Sequence, residues 1–302
     1  MAGKIQVIRS INEMQVVSRQ LSRKDTIGLV PTMGFLHEGH LSLIRKAKKH
    51  ADKVIVTIFV NPTQFAPNED LNKYPRDEKG DIAKIKQAGG DIVFIPKRES
   101  IYPDGYETYV SVEEITKTLE GKSRPTHFRG VTTIVSKLFN IIRPDVAVFG
   151  LKDYQQVMVL KKMVDDLNYP IKMIVGPTVR ESDGLAMSSR NKYFNPEQRK
   201  EAVCLYQALK TAKQLTKEEN NINAAKLRVT IKKVIKKICP TAKIEYVAFT
   251  HFASLKTVKE VNNTAICSLA VKLHGVRLID NMQMGEQPLQ IPTEDLLNII
   301  WA

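Results

Sequence analysis

The sequence predicts an α/β protein made of a parallel sheet covered by helices, followed by a smaller α+β domain. Three observations lead to this fold class. With 302 residues the chain is long enough for a large core and for two domains. Apolar runs typical of strands buried on both faces alternate with helical patterns as far as residue 182. Beyond that residue two helical patterns precede two strand-like runs, so the alternation ends.

The alternating part predicts a Rossmann-like parallel sheet. Helices are expected at residues 12–21, 41–47, 77–88, 130–142 and 154–167. Strands are expected at residues 26–30, 53–60, 91–95, 145–149 and 171–175, with an extra short strand at 108–112. The pair Gly89-Gly90 ends the third helix, and Pro144 follows the fourth. Ligands of such sheets lie outside the carboxyl ends of the strands, so polar residues that follow strands are candidate site residues.

The second part of the chain has a different pattern. Helices are expected at residues 196–215 and 221–238, and strands at residues 243–250 and 265–273. The turn at residues 181–184 marks the change. We therefore expect a sheet domain of residues 1–182 and a smaller α+β domain of residues 183–302 that acts as a lid.

Composition restricts the class of protein. No apolar run reaches the length of a membrane span, and the N-terminal residues lack the pattern of a signal peptide. The three cysteines, Cys204, Cys239 and Cys267, are odd in number and widely spaced. This usage argues against a disulfide framework and favours a reducing cytoplasm.

The net charge of +14 raises the alternative of a nucleic-acid-binding protein. Much of the excess lies in residues 199–237, where lysines alternate with an apolar helical stripe. No RNA-binding aromatic signature accompanies the charge, so we interpret the lysines as a solvated helix face. Steeply salt-dependent binding to nucleic acid would favour the alternative.

The most informative stretch is residues 30–40, Val-Pro-Thr-Met-Gly-Phe-Leu-His-Glu-Gly-His. It places His37 and His40 on a turn between a buried strand and a helix start. Unpaired N–H groups and the helix dipole make such a start an anion site, and imidazoles beside it can donate to phosphate. Gly34 and Gly39 allow a ligand to approach the backbone. A metal pair or two surface histidines are the alternatives, but zinc needs a third protein ligand and no other histidine or cysteine has ligand spacing.

Three further loops carry polar groups suited to anionic substrates. Residues 61–65 follow the second strand, and the amides of Asn61 and Gln64 suit a hydroxyl and a carboxylate. Residues 150–156 form a second strand–turn–helix junction in which Lys152 can neutralise phosphate. The loop at 179–191 is dense in donors, including a Ser-Ser-Arg run. Each loop could also be purely structural: an ordinary turn, a helix N-cap at Asp153, and a solvated linker.

The His-x-Gly-His arrangement resembles the signature of the nucleotidyltransferase superfamily. The longer string Pro-Thr-Met-Gly-x-Leu-His-x-Gly-His resembles one family within it, the pantothenate synthetases, also called pantoate–β-alanine ligases. The resemblance implies that pantoate attacks the α-phosphate of ATP to give pantoyl adenylate and pyrophosphate, and that β-alanine then displaces AMP to give pantothenate. It also implies Mg²⁺ on the ATP phosphates, with no dedicated protein metal site, and a homodimer.

The resemblance also assigns roles to matching positions of this chain. His40 is the leading catalytic residue, supported by His37. Pantoate is bound by Asn61, Gln64 and Gln156, with β-alanine near Gln64. ATP is bound by Met33, Gly34, Phe35, Leu36, His37, Glu38, Gly39, His40, Gly150, Leu151, Lys152, Asp153, Val179, Met187, Ser188, Ser189 and Arg190. Residues 123–130 match the family closely, and their basic side chains either gate the site or form a structural loop.

Two features depart from the family pattern. Leu151 stands where Glu or Gln is usual, a minor change if that position acts through its backbone. About twenty residues follow Asn281 without a family counterpart and resemble an ordinary terminal extension. A different nucleotidyltransferase, such as one making a dinucleotide cofactor, stays open as an alternative; Gln64, Gln156 and the string at residues 152–156 argue against it.

Overall fold

The computed structural model describes residues 5–67, 69–219, 221–286 and the backbone of 299–301. Its first part is built on parallel strands: β1 (Gln6–Ile8), β2 (Ile27–Thr32), β3 (Lys53–Ile58), β4 (Ile92–Phe94), β5 (Val146–Gly150) and β6 (Lys172–Gly176). Their order in the sheet is β1-β4-β3-β2-β5-β6, and a further strand at Ile299–Trp301 pairs in parallel with β6. Because every pair is parallel, the carboxyl ends of the strands meet at one edge.

Helices cover both faces of this sheet: α1 (Ile11–Leu21), α2 (Glu38–Lys48), α3 (Glu78–Gln87), α4 (Arg98–Ile101), α5 (Leu119–Ser123), α6 (His127–Ile142) and α7 (Tyr154–Asp166). Helices α2 and α3 bury Ile44 and Ile85 against one face, beside Val54 and Val56 of β3. Helices α1, α6 and α7 cover the other face, where Ile55 of the same strand points. The strands are therefore apolar on both faces, as their continuous apolar runs predict.

The second part combines helices with a small antiparallel sheet. Its helices are α8 (Pro196–Glu201), α9 (Cys204–Glu218) and α10 (Ala224–Ile238). Strands β8 (Lys243–His251), β10 (Ala265–Leu273) and β11 (Val276–Gln283) form the sheet in the order β11-β10-β8, and β7 (Ile222–Asn223) pairs with β9 (Glu260–Val261). Asn195 and Asn223 cap α8 and α10 by accepting backbone N–H groups. The core of this part runs from Leu185 to Met284 and is separate from the two cores of the first sheet.

The two parts are nevertheless closely joined. Phe252, Leu255 and Ile266 of the second part belong to the core under α6 and α7. The hydroxyl of Tyr154 donates to the carbonyl of Phe252. The buried carboxylate of Glu120 accepts from Arg277 at 2.7 and 2.8 Å, which joins α5 to β11. The proposed division at residues 182 and 183 stays a prediction, and the chain returns to the first sheet at Ile299–Trp301.

The expected α/β fold class is confirmed, with differences in individual elements. The extra strand expected at 108–112 is wrong: the N–H of Val110 donates to Thr133 at 3.0 Å, and its carbonyl accepts from Thr132 at 2.6 Å. Side chains of α6 thus take the place of a partner strand. The helix expected at 196–215 is two helices, α8 and α9. Most of the extension after Asn281 lies outside the described residues, and none of the described helices is long and apolar enough to cross a membrane.

Candidate functional site

The loop between β2 and α2 is held by a buried carboxylate. Gly34 and Phe35 both have positive φ angles, 82° and 52°, so the chain turns sharply after β2. The N–H groups of Phe35 and Leu36 then donate to Asp81 of α3, each at 2.7 Å. Asp81 is 1% exposed and draws the loop against the sheet. This carboxylate therefore fixes the approach to the two histidines.

The two histidines cap the helix that they precede. Nδ1 of His37 accepts the N–H of Gly39 at 3.2 Å, and Nδ1 of His40 accepts the N–H of His37 at 3.3 Å. The rings lie 4.1 Å apart between centroids. A Cβ on Gly39 would lie 2.9 Å from the His37 ring, so any larger residue there would have to displace that ring. Two of the N–H groups expected to face an anion are thus occupied, and the donor that remains on each ring is Nε2–H.

Both imidazoles are neutral near pH 7. Burial, followed by the charges of His40 and Lys152, lowers the pKa of His37 to about 3. Burial, followed by the charges of Lys152 and Lys84, lowers the pKa of His40 to about 4. A neutral ring whose Nδ1 is an acceptor carries its proton on Nε2. The pair is therefore suited to donate hydrogen bonds to an anion without a net charge of its own.

One large cavity, of about 1360 Å³, lies at this edge of the sheet. Pockets that hold a single drug-sized ligand measure up to about 1,000 Å³, so this cavity has room for more than one substrate. Most of the predicted site residues line it: Met33, His37, Gly39, His40, Gln64, Gly150, Lys152, Asp153, Gln156, Val179, Met187, Ser188, Ser189 and Arg190. The others, Gly34, Phe35, Leu36, Glu38, Asn61 and Leu151, lie outside its lining. Glu38 is exposed and pairs with Arg45 instead.

Asn61 supports the cavity wall rather than facing the cavity. Its Nδ2 donates to Gln64 at 3.1 Å and to the carbonyl of Gly130 at 3.0 Å, and its Oδ1 accepts from Thr63 and Tyr102 at 2.9 Å. The side chain is therefore saturated by the protein, and its predicted contact with substrate stays untested. The geometry favours a positioning role, in which Asn61 orients Gln64.

Gln64 is the amide that this arrangement presents. Its Nε2 donates to Sδ of Met33 at 3.1 Å, so the loops after β2 and β3 meet at this side chain. Its backbone carbonyl accepts from Arg124 at 3.1 Å and is bonded to Nδ1 of His127 at 2.9 Å. Residues 123–130 therefore brace Gln64 from behind. A glycine at 130 is required because a Cβ there would lie 2.4 Å from the carbonyl oxygen of Thr63.

The stability of this brace should depend on pH. Burial is the main cause that lowers the pKa of His127 from 6.5 to about 4. The unfolded chain therefore takes up a proton between those values that the folded chain does not, and the free energy of unfolding falls as pH falls through that window. We expect the loss of stability from about pH 7 to about pH 5 to be smaller in His127→Gln than in the unmodified protein. Urea unfolding of both proteins at the two pH values measures this difference in the free energy of unfolding. An equal loss of stability in His127→Gln and in the unmodified protein would contradict the expectation.

The turn after β5 is bound to the second part of the chain. Nδ2 of Asn281 donates to the carbonyls of Leu151 and Lys152, at 3.0 and 2.8 Å. The side chain of Leu151 packs against the core, so this position acts through its backbone and the departure from the family pattern leaves the contact intact. Lys152 stays near Asp153 at 3.7 Å and is 22% exposed, and its charge helps to lower the pKa of both histidines. It is the positive charge that acts most directly on the two histidines.

The donor-rich loop at 179–191 closes over the histidine loop. The hydroxyl of Ser189 donates to the carbonyl of Phe35 at 3.1 Å. Ser188 accepts the N–H of Arg190 at 3.3 Å. The guanidinium of Arg190 forms a bidentate pair with Asp70, at 2.9 and 2.8 Å. Arg190 is thus charge-paired with Asp70 across the cavity.

Sequence reasoning missed several residues that shape this site. Asp81 and Asp70 were not singled out, because a carboxylate in a helix or loop carries no local signal of its distant partner. From the second part of the chain, Tyr246, Lys272 and Arg277 also line the cavity. The string Arg-Leu-Ile-Asp-Asn at residues 277–281 is a signal that could have found them, because it resembles the family pattern more clearly than the rest of the second part does.

Comparisons with known proteins match this chain to one family. Residues 6–283 match the sequence model of a family described as pantoate-beta-alanine ligase, a range that includes every residue lining the cavity. A pantothenate synthetase of Moorella thermoacetica is 52% identical over 278 residues, which cover 92% of this chain and 97% of that protein.

Solved structures are similar over nearly the same extent of the chain. A pantothenate synthetase from Thermus thermophilus has a TM-score of 0.88 and 38% identity, and the match covers 93% of this chain and 100% of the other. A pantoate-beta-alanine ligase from Francisella tularensis, complexed with beta-gamma ATP and beta-alanine, has a TM-score of 0.76 and 37% identity, with coverage of 93% and 98%.

Proposed function

The chain belongs to the pantoate-β-alanine ligase family, and from that premise we propose that it condenses (R)-pantoate with β-alanine in an ATP-dependent reaction. A pantoate carboxylate oxygen attacks the α-phosphorus, the bond to the bridging oxygen breaks, and pyrophosphate leaves. The β-alanine amine then attacks the acyl carbon of pantoyl adenylate, loses a proton, and displaces AMP. The observation that carries this proposal is one cavity in which two neutral histidines, Lys152 and the amides of Gln64 and Gln156 all meet.

The histidines act on the phosphate. Charge develops on the α-phosphate oxygens during attack, and preorganised donors lower the barrier most when they are already in place. Nε2–H of His40 is our leading candidate for that donor, with His37 beside it. Since the pKa of each ring lies far below neutrality, the rings donate hydrogen bonds and do not act as cationic acids. Lys152 adds the positive charge that a neutral pair lacks.

The amides act on pantoate. Gln64 is oriented by Asn61 and Met33, whereas none of the described residues forms a hydrogen bond with the side chain of Gln156. An amide offers both a donor and an acceptor, which suits the carboxylate and hydroxyls of pantoate. Gln64 thus offers pantoate an amide in a fixed orientation, whereas the amide of Gln156 can adjust its orientation to pantoate. β-Alanine enters near Gln64.

Mg²⁺ fits this cavity as a companion of ATP. It binds proteins through one or two carboxylates and otherwise through phosphates and water. Asp153 is a suitable carboxylate, because it lines the cavity, is half exposed and, among the described residues, has only Lys152 within ion-pair distance, at 3.7 Å. The ion would neutralise phosphate charge.

A homodimer and a cytoplasmic location are further parts of the proposal, and light scattering of the purified protein tests the dimer.

The reaction is tested by leaving out one substrate at a time. AMP release should require ATP, pantoate and β-alanine together. Exchange of pyrophosphate into ATP should require pantoate but not β-alanine. Pyrophosphate exchange that proceeds equally well without pantoate would instead indicate another nucleotidyltransferase. Filter binding of nucleic acid over a salt series tests the remaining alternative. Tight, steeply salt-dependent binding without ligase activity would overturn the proposal.

Replacing Gln156 with alanine is expected to weaken pantoate binding while ATP binding stays unchanged. A polar partner left unpaired costs about 1–3 kcal/mol, which corresponds to a roughly five- to 150-fold rise in the dissociation constant. Gln64→Ala should act in the same direction and should also raise the KM for β-alanine. Gln87→Ala, on the exposed end of α3, is the control. Calorimetric titration measures the affinities for pantoate and ATP separately. If only the affinity for ATP fell, both glutamines would belong to the nucleotide-binding site instead.

A further inference from the structure

A second cluster of reactive side chains lies in the second part of the chain, among residues that have no role in the proposed reaction. Glu201 ends α8, Cys239 follows the last residue of α10, and His274 occupies the turn between β10 and β11. Their ligand atoms all lie within 4.8 Å of one another. Three elements far apart in sequence therefore bring a thiol, an imidazole and a carboxylate to one point.

The geometry of the cluster is convergent. Nε2 of His274 lies 2.6 Å from Oε2 of Glu201 and 3.9 Å from Sγ of Cys239. A nucleophile relay would need the thiol and the carboxylate on opposite nitrogens of the ring. Here both face the same nitrogen, which can hold a single proton or offer a single lone pair. The arrangement is wrong for a relay and right for three ligands around one cation.

We propose that Glu201, Cys239 and His274 form a zinc site. In tetrahedral zinc sites the metal lies about 2.0–2.3 Å from nitrogen, oxygen and sulfur ligands. Neighbouring ligand atoms then lie about 3.3–3.7 Å apart. The 3.9 Å separation of sulfur and nitrogen is about 0.2 Å beyond this range. Glu201, whose side chain is 37% exposed, has room to move back from 2.6 Å. Thiolate and imidazole select zinc over magnesium, which prefers oxygen ligands.

The surroundings supply the remaining requirements of such a site. Cys239 is fully buried, and its sulfur lies 3.5 Å from the hydroxyl of Thr241, a group able to orient the thiolate from outside the metal. His274 lines the large cavity, so an ion can enter and water can fill the fourth position. The ion would join α8, α10 and the β10–β11 turn. That turn leads directly into β11, which carries Arg277 and Asn281 to the cavity.

The proposal is tested with metal-stripped, full-length protein. Titration with Co²⁺ should give stoichiometric binding and a thiolate-to-cobalt charge-transfer band, which Zn²⁺ displaces and Mg²⁺ does not. Zinc should also raise the melting temperature. Because the cobalt band and the melting temperature report metal binding and not catalysis, the result is independent of whether the proposed ligase activity is found.

Matched variants locate the ion. Cys239→Ser should abolish the band and weaken zinc binding by more than about a hundredfold, since even an outer-shell change costs up to that much. His274→Asn should do the same, because asparagine tolerates the positive φ of 46° at this turn and so removes the ring without straining the backbone. Cys267→Ala, a buried cysteine of β10, should keep the band. A band that survives Cys239→Ser, zinc binding that depends on His40, or no stoichiometric binding would each overturn the proposal.

Discussion

Replacement of His40 by alanine is expected to lower the rate of pantoyl adenylate formation by about a hundredfold or more while the protein stays folded. The reason is the loss of a preorganised Nε2–H donor from the place where negative charge develops. The ring is partly buried and has a pKa of about 4, so at neutral pH it is a donor in nearly every molecule. Pantoate-dependent pyrophosphate exchange measures the step without involving β-alanine.

His40 also caps α2, so a slow variant needs a structural control. Glutamine at the third position of a helix forms the same capping box. His40→Gln should therefore preserve the bond from the N–H of His37 and the melting temperature, yet be nearly as slow as His40→Ala. His50→Ala, at an exposed position just beyond α2, should be unaffected. If His40→Gln restored the rate, or if folded His40→Ala exchanged pyrophosphate normally, the role of His40 would be structural only.

Sequence reasoning found the parts of this site that are local. Each strand–turn–helix junction combines a continuous apolar run with a glycine and a helix start, and those signals lie within about ten residues of one another. That is why the loops bearing His40, Gln64 and Lys152 can be placed at one edge of a sheet from the sequence alone.

Contacts between distant residues could not be found in this way. Asp81 lies 45 positions from the N–H of Leu36 that it accepts, and no periodicity marks it. Val110 shows the converse error: its apolar, β-branched surroundings suggest a strand, but its backbone partners are threonine hydroxyls of α6. Propensity records how well a residue fits a pleated surface and not whether a partner strand is present.

Replacement of Arg190 by alanine is expected to weaken ATP binding by about ten- to a hundredfold, since a hydrogen bond to a charged group contributes about 1.5–3 kcal/mol. The guanidinium sits in a loop already bonded to Phe35 through Ser189, beside the histidines. Two nitrogen donors of its guanidinium are bonded to Asp70. A bound phosphate must therefore take Arg190 from this carboxylate or share it.

This exchange bears on the prediction that the second part of the chain acts as a lid. A rigid-body opening would have to break the buried Glu120–Arg277 pair and separate Asn281 from the turn after β5. Breaking a buried pair is costly because it leaves an uncompensated charge. Releasing Arg190 from Asp70 requires only movement of the loop at 187–193, where the pair is about one-quarter exposed. We therefore expect the loop, and not the whole domain, to close on nucleotide.

The variant Asp70→Asn distinguishes the two roles of Arg190. It keeps a hydrogen-bonding partner of the same size but removes the competing charge, so ATP should bind at least as tightly as to the unmodified protein. Arg190→Ala should lower ATP affinity whether or not Asp70 is also changed, because the lost contact is to phosphate. Calorimetric titration of the two single variants and the double variant, with melting temperatures as a check of folding, gives the comparison. If Asp70→Asn weakened ATP binding as much as Arg190→Ala does, the Arg190–Asp70 ion pair would have a structural role in holding the two loops together. The expected contact between Arg190 and phosphate would then be wrong.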